Sequence, residues 1–442
     1  MFSGPEATAS AADQARHPAS SFDAWKRYYV VDPAKATASH FEEDAQTTVL
    51  AINDGQHIVL FVNGKPDATT GGDLSTQLFL AHLPLLLAPE ARELLVIGHG
   101  SGITSGSAMR HPVERADIVE ISPGVLNADA IFAEFNYRVL DDSRVRTHQD
   151  DAQSFLRAVP HNYDMIISEP SNPWVAGVSG LFTREFFKAM SDKLNRGGLA
   201  VIWFHTYSQS DEGVELVMRT IGSVFPYTVV GRSPNYSDVI LIASKDPIEP
   251  DFEAMEDRFD QPAVRNDLAR VGIANLASLI AHYSLTQERF QEVVPAGPLN
   301  TISRQRLEYS APRSLFYRDS SSFLRRVDPL ISGTAPWNST MLGRYLSYRA
   351  AVGEPVRYEE LEYLIKRSHK NVAAGLKVLP LIREVLLRPS TRPARGLVPD
   401  PESTGLYEAV FWGDRFRMEG RNDIAQAYFN RYHSLDSAAD NE

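Results

Sequence analysis

The chain contains no cysteine. That excludes disulfides, Cys-ligated metal and thiol catalysis, and it fits a reducing compartment. Long apolar runs are missing too. The longest candidate, Leu78–Leu87, is interrupted by His82 and Pro84 and is too short to cross a bilayer. The opening "MFSGPEATASAADQARHPASS" has neither the basic start nor the apolar middle of a secretory signal. Its Ala, Ser and polar content predicts a disordered lead-in over residues 1–22. A soluble cytoplasmic chain with no membrane segment is expected. Basic residues are in deficit, 44 Lys and Arg against 56 Asp and Glu, for a formal charge of −12. Nucleic-acid binding needs a basic face to neutralise phosphates, so no nucleic-acid partner is expected. An acidic chain suits cationic small molecules, although most surface acids serve only solubility. Two catalytic signatures are absent: there is no Gly-x-Ser-x-Gly elbow and no Ser/His/Asp set. The histidines, among them His99, His111, His148 and His161, lack metal-ligand spacing, so no metal is expected.

What is present is enough chain for two or three domains. At 442 residues with 43% hydrophobic content, at least one sizeable core can form. The runs Val49–Asn53 and His57–Asn63 flank Asp54-Gly55, a hairpin signal in which the dipeptide supplies positive φ angles. Residues 23–72 therefore read as a small β unit. "DLSTQLFLAHLPLLLAP" follows as a helix, with Asp73 more naturally its N-cap than a ligand, and with His82 a satisfied, packed histidine. From Glu93 the pattern alternates. "ELLVIG", "RADIVEI", "RVRTHQ", "YDMIIS" and "GLAVIWF" are strand-like runs separated by helical segments or turns. Such alternation gives an α/β fold with a mainly parallel, doubly wound sheet. "YTVVG" and "DVILIAS" close the unit as a hairpin, and "SKDPIEPDFE" marks a boundary, so that residues 73–247 form one domain. Residues 248–442 read as mostly helical. Within them a helix pair near 405–435 is similar to a single tetratricopeptide unit, and the arginines 383, 388, 392 and 395 read as a solvated linker.

Chemistry-bearing residues gather at the C-terminal ends of the parallel strands, where open α/β sheets bind ligands. "LLVIGHGSGITSG" puts Gly98, Gly100, Ser101 and Gly102 on the turn after the first strand, where glycine lets backbone approach a ligand. Alone, that turn fits a dinucleotide, a nucleoside or mere tight packing. No Lys-Ser/Thr follows it, which excludes a P-loop. Glu120 ends the second strand, where a carboxylate can accept both ribose hydroxyls, and Asp151 follows the third, where an acid meets an adenine amino group. The fourth strand breaks on Glu169-Pro-Ser-Asn-Pro-Trp174, an acid on a stiff turn with Trp174 as a wall. His205, in "VIWFHTY" past the fifth strand, can reach the same cleft as a base, since histidine titrates near neutrality without tuning; Tyr207 shares that place.

Together Gly98–Gly102, Glu120, Asp151 and "YDMIISEPSNPW…GLFTREFF" resemble the spermidine synthase family. "VNGKPDAT", "HLPLLL", "SEPSNPWVAGVSGLFTREFF" and "APR" resemble more closely its bacterial spermidine synthase-like members, often fused to membrane segments. The resemblance covers roughly residues 40–245. It implies a small N-terminal β domain before a Rossmann-like, methyltransferase-type domain. It also implies S-adenosylmethionine or its decarboxylated form as co-substrate, a small amine as acceptor and a homodimer. Glu169 and Asn172 stand where the polyamine synthases carry aspartates, so one charge that would grip a cationic amine is lost. The family's acid in the glycine turn is matched by Ser101, its Tyr-His-Glu by Thr76, Gln77 and Leu78, and its ribose-contacting Gln by about Asp67. The nucleoside half is kept and the polyamine half largely replaced. What the resemblance implies is alkyl transfer to a non-standard acceptor, with Glu169 and Asn172 catalytic; His205, from its place alone, reads as a further catalytic residue or as a structural hydrogen-bonder. Methyl transfer, internal elimination or cyclisation of the donor, and a nucleoside-sensing scaffold stay open as alternatives.

Overall fold

The computed structural model describes residues 37–44, 47–234, 237–329, 339–354, 360, 401–403 and 421–439. The lead-in, the four-arginine stretch and the first half of the tetratricopeptide-like pair lie outside the described residues. Four strands, β1 (Thr37–Glu43), β2 (Thr48–Asn53), β3 (Ile58–Val62) and β4 (Lys65–Thr69), make an antiparallel meander in chain order. The β2–β3 hairpin forms as expected, but its turn is wider than a two-residue loop. Only Gly55 takes a positive φ, and the Asp54 carboxylate instead accepts the N–H groups of Gln56 and His57 at 2.9 and 2.7 Å. Val49, Ala51, Ile58 and Leu60 bury one face of this sheet against Val125, Ala128 and Phe132, which lie further along the chain.

Eight strands build the main sheet. They are β5 (Glu93–Ile97), β6 (Arg115–Glu120), β7 (Val145–Gln149), β8 (Tyr163–Ser168), β9 (Leu194–His205), β10 (Tyr227–Arg232), β11 (Asp238–Ser244) and β12 (Tyr283–Leu285). Their order across the sheet is β12-β10-β11-β9-β8-β5-β6-β7. Strands β5 to β9 are mutually parallel, while β10, β11 and β12 are antiparallel to their neighbours. The α/β reading holds, and so does the closing hairpin.

Period-2 alternation splits the strands between two cores. Leu94, Val96, Met165 and Ile167 face the helix Leu74–Leu87; Leu95, Ile97 and Ile166 face the helices at 152–158, 184–192 and 211–222. The chain beyond 248 returns to this sheet. Its helices at 252–280 join the first core, Leu307, Ala311, Phe323 and Leu324 join the second, and β12 pairs with β10. No helix among the described residues is long and apolar enough to cross a membrane.

His82 is satisfied, as its apolar setting required, but its partner comes from that later region. Nε2 meets Asp267 Oδ2 at 2.9 Å and Nδ1 meets His111 Nε2 at 2.9 Å. His99 pairs with Asp129, and His148 and His161 with Asp117. Among the described residues no cluster of three or more His, Asp or Glu side chains could hold a metal ion.

Candidate active site at the sheet switch point

Winding reverses at β5, which has β6 and β7 on one side and β8 and β9 on the other. At such a switch point the loops leaving adjacent strands diverge and open a crevice at their carboxyl ends. The loops that leave β5 and β8 are the glycine turn and the Glu169 turn. Gly98, Gly100 and Gly102 have φ of 89, 55 and 73°, a region that costs side-chain-bearing residues strain. At Gly98 a Cβ would lie 2.5 Å from the Glu169 carbonyl oxygen, so the two turns press backbone on backbone. At Gly100 a Cβ would meet only Ala68, at 4.0 Å, which leaves open space above the turn for a ligand. Gly98→Ala should therefore lower stability by roughly 2–4 kcal/mol, combining left-handed strain with overpacking. Gly100→Ala should cost only the strain, about 1–2 kcal/mol. Urea unfolding of the two variants checks this, and equal losses would show that the Gly98 contact is slack.

Glu120, at the end of β6, is nearly buried. Its Oε2 accepts the N–H of His99 at 2.9 Å and its Oε1 that of Ser122 at 2.8 Å, so the carboxylate is oriented by the backbone on both sides. Asp151 stands at the end of β7 but is exposed, and its carboxylate caps the helix Ala152–Ala158 through Ser154 N–H at 2.9 Å. The other expected nucleoside-side residues meet. Ser101 Oγ donates to Gln77 Oε1 at 2.5 Å and Gln77 Nε2 to the Thr69 carbonyl at 2.9 Å, a neutral chain joining glycine turn, helix and β4. Asp67 accepts from Ser171 Oγ at 2.8 Å and pairs with Lys65. Asn172 is committed at both ends of its amide: Oδ1 accepts from Lys65 at 2.5 Å and Nδ2 donates to the Tyr207 hydroxyl at 3.2 Å.

Glu169 differs from the acids around it in having no charged donor among the described residues. Burial pushes its carboxyl up to about 7; hydrogen bonding with Thr104 pulls the other way, and the charges of Asp238 and Asp67 push it further up. Carboxyls tuned to neutrality in a cleft are what proton transfer near neutral pH requires.

Two expectations need correction. Asp73 occupies the N-cap position of its helix but makes no side-chain cap, because the chain enters with φ −101° and ψ 3° rather than extended. Its carboxylate turns back to accept Thr69 N–H at 3.0 and 3.2 Å, and burial, then Asp238 and Glu169, hold it well above the usual range. His205 lies in the cleft wall but does not titrate near neutrality. Burial pushes it down to about 3, the Tyr207 carbonyl opposes this, and Lys65 adds to it. Its Nδ1–H donates to the Tyr207 carbonyl at 2.7 Å, which leaves Nε2 a buried lone pair with no hydrogen-bond partner among the described residues. The ring is sandwiched against Tyr207 (centroids 4.3 Å apart) and meets Trp174 edge-on at 4.8 Å. The chain beyond 248 backs this wall, since Tyr207 bridges Ser320 and Ser321 N–H donates to the Thr206 carbonyl at 2.9 Å.

Sequence reasoning missed Lys65 and Asp238. Asp238 opens β11 and pairs in register with His205, so the antiparallel return of β11 carries it to the same sheet edge. It accepts from Thr76 Oγ1 at 2.9 Å, Ser237 Oγ at 3.1 Å, Trp203 Nε1 at 3.2 Å and Ser233 Oγ at 3.2 Å. An acid at the turn end of the closing hairpin was the available signal.

A family model of the spermine/spermidine synthase domain matches residues 74–246, which hold the glycine turn, Glu120, Asp151, Glu169 and the β9–β11 wall. This stretch belongs to that domain family. A spermidine synthase of Coffea arabica is 31% identical over 203 residues, spanning 44% of this chain and 64% of that protein. A putrescine N-methyltransferase 2 of Nicotiana attenuata is 30% identical over 205 residues, spanning 44% of this chain and 54% of that one. The chain thus spans less than two thirds of either relative. Among solved structures, the spermidine synthase from Thermotoga maritima superposes with a TM-score of 0.45 at 23% identity, covering 54% of this chain and 84% of that one.

Proposed function

We propose that the spermine/spermidine synthase domain transfers an alkyl group from a sulfonium nucleoside to a small amine, with Glu169 as the base. The donor is S-adenosylmethionine or its decarboxylated form. The observation that carries this is the place of Glu169 at the switch point, on a turn pressed against the glycine turn, where burial pushes its carboxyl up to about 7. Glu120 takes the ribose hydroxyls and Asp151 the adenine edge. The positive φ glycines bring backbone against the nucleoside, and Gln77 and Ser101 line the donor's tail. The acceptor amine, deprotonated by Glu169, forms the new N–C bond as the C–S bond breaks. The electron pair returns to sulfur, and a neutral thioether nucleoside leaves. Asn172 holds the turn against Tyr207, and His205, neutral throughout, supports Tyr207 by stacking.

Incubation with each donor form and a panel of small amines tests this. Methylthioadenosine accumulating only when an amine is present supports chain transfer, and accumulation without an amine points to internal cleavage. Absence of any nucleoside product with tight donor binding would overturn catalysis. The logarithm of kcat should climb about one unit per pH unit below about 7 and level above it, since only ionised Glu169 accepts a proton. A profile flat from pH 5 to 8 would remove Glu169 from that role.

Methyl transfer is the second reading, and S-adenosylhomocysteine would be its product. The similarity to a putrescine N-methyltransferase favours it, as does the neutral Ser101–Gln77 pair, which offers no repulsion to the carboxylate of intact S-adenosylmethionine.

A further inference from the structure

Most acids around Glu169 are already engaged. Asp238 receives donors from four side chains, and both oxygens of Asp73 face Thr69 N–H. The acceptor atoms left beside the reacting carboxyl are Asp67 on β4 and Asn172 Oδ1 on the turn that carries Glu169. The Lys65 ammonium spans these two groups, bonding Asp67 and Asn172 Oδ1 (2.5 Å), and it also donates to the Pro66 carbonyl at 3.2 Å. All three of its N–H bonds are thereby placed, on a side chain only 20% exposed. A lysine tip is chemically the end of an alkylammonium. It stands where the far end of a diamine would find its counter-charge.

We propose that Lys65 is a specificity-determining residue: it fills the position of an acceptor's second ammonium and restricts the acceptor to monoamines. This rests on the amine-alkylation reading above. A second positive charge entering the cleft would meet the fixed Lys65 cation with Asp67 already neutralised, and like charges at such separation are strongly unfavourable in a partly desolvated site. A monoamine loses nothing, because its single nitrogen goes to Glu169. Lys65 also adjoins the aromatic wall, since the Asn172 amide that accepts from it donates to the Tyr207 hydroxyl at 3.2 Å.

Equilibrium binding tests this without chemistry. Butylamine and 1,4-diaminobutane are titrated calorimetrically into methylthioadenosine-saturated protein, using the parent, Lys65→Met and Lys65→Arg. The parent should bind the diamine no more tightly than butylamine. Lys65→Met, with Asp67 and Asn172 uncovered, should bind the diamine about tenfold more tightly and butylamine unchanged, the scale of one charge-assisted hydrogen bond. Lys65→Arg keeps the cation and should keep the parent ratio. Lys65→Gln, which keeps a donor toward Asp67, gives a second read if the methionine variant does not fold. A parent that prefers the diamine tenfold, or neutral variants that leave the ratio unmoved, would overturn the proposal. Failure of methylthioadenosine to bind would instead count against the nucleoside reading, and the same amine ratio measured without it would still judge Lys65.

Discussion

Glu169→Gln is expected to slow single-turnover alkyl transfer by about two to four orders of magnitude, the usual contribution of a positioned general base. Methylthioadenosine should bind the variant within about threefold of the parent. The substitution keeps the shape of the side chain and a hydrogen-bonding partner for Thr104, and removes only the capacity to take up a proton. Three of its neighbours are committed elsewhere. Asp238 holds four donors, Asp73 is turned to the Thr69 amide, and the His205 imidazole has been pushed down to about 3. The kcat rise through about pH 7 should vanish in the variant along with the rate. A glutamine enzyme retaining a tenth of the parent rate would mean that the amine arrives already deprotonated and Glu169 serves only to place it.

Asp267→Ala should destabilise the protein by about 3–5 kcal/mol, as removal of one partner from a buried ion-paired network commonly does. Asp267 is fully buried on the helix Pro262–Ala269 and accepts from His82 Nε2 at 2.9 Å, Tyr137 Oη at 2.7 Å and Arg270 Nη1 at 2.6 Å. Burial alone would raise its carboxyl, but the His82 hydrogen bond and charge, with Ser107 and Tyr137, hold it well below the usual range. A depressed carboxylate contributes stability that is complete above its unfolded pKa and is lost as pH falls through the folded one. His111 adds acid sensitivity at milder pH. Burial, then His82 and Arg258, keep its pKa well below 6.5, so as pH drops through that value the unfolded chain takes up a proton that the folded one refuses. Urea midpoints at pH 7, 4 and 2 check both statements: the parent should weaken between pH 7 and 4 through His111, while the gap between parent and variant should hold at pH 4 and narrow only below it. A loss under 1 kcal/mol at pH 7 would show that the three donors find other acceptors.

The elements legible in the sequence were those whose pattern is local. Leu94–Ile97 and Met165–Ile167 announce strands by unbroken apolar runs, and Gly98–Gly102 and Glu169 are read directly from where those runs stop. Asp54-Gly55 marked its hairpin although the turn proved wider. What was hidden depends on returns of the chain. Asp238 looks like a solvated strand start until antiparallel pairing sets it beside His205. Lys65 looks like a turn residue in "VNGKPDAT" until β4 faces the 169–174 turn, 107 residues along the chain. Asp73 fitted the cap pattern, and only its entry dihedrals redirected it to Thr69. β12 is three residues long, too short for any periodicity, and is held through pairing with β10 and the Tyr283 hydroxyl donating to the Leu83 carbonyl at 2.7 Å. His205 was legible as to place but not as to protonation, because desolvation is a property of the whole wall around it.

The raised Glu169 carboxyl sets two demands on the cleft against each other. Its protonated form favours the folded state fully below the unfolded pKa of about 4.5, and that advantage fades as pH climbs through about 7, where the ionised base begins to work. On the proposed reaction, a sulfonium arriving beside it would supply the missing positive partner and ease its ionisation, whereas the thioether left after transfer would be uncharged and supply none. Under the proposed transfer the positive charge passes from sulfur to the new amine, so the spent nucleoside would lose the electrostatic hold its precursor enjoyed and would be bound more weakly than the fresh donor.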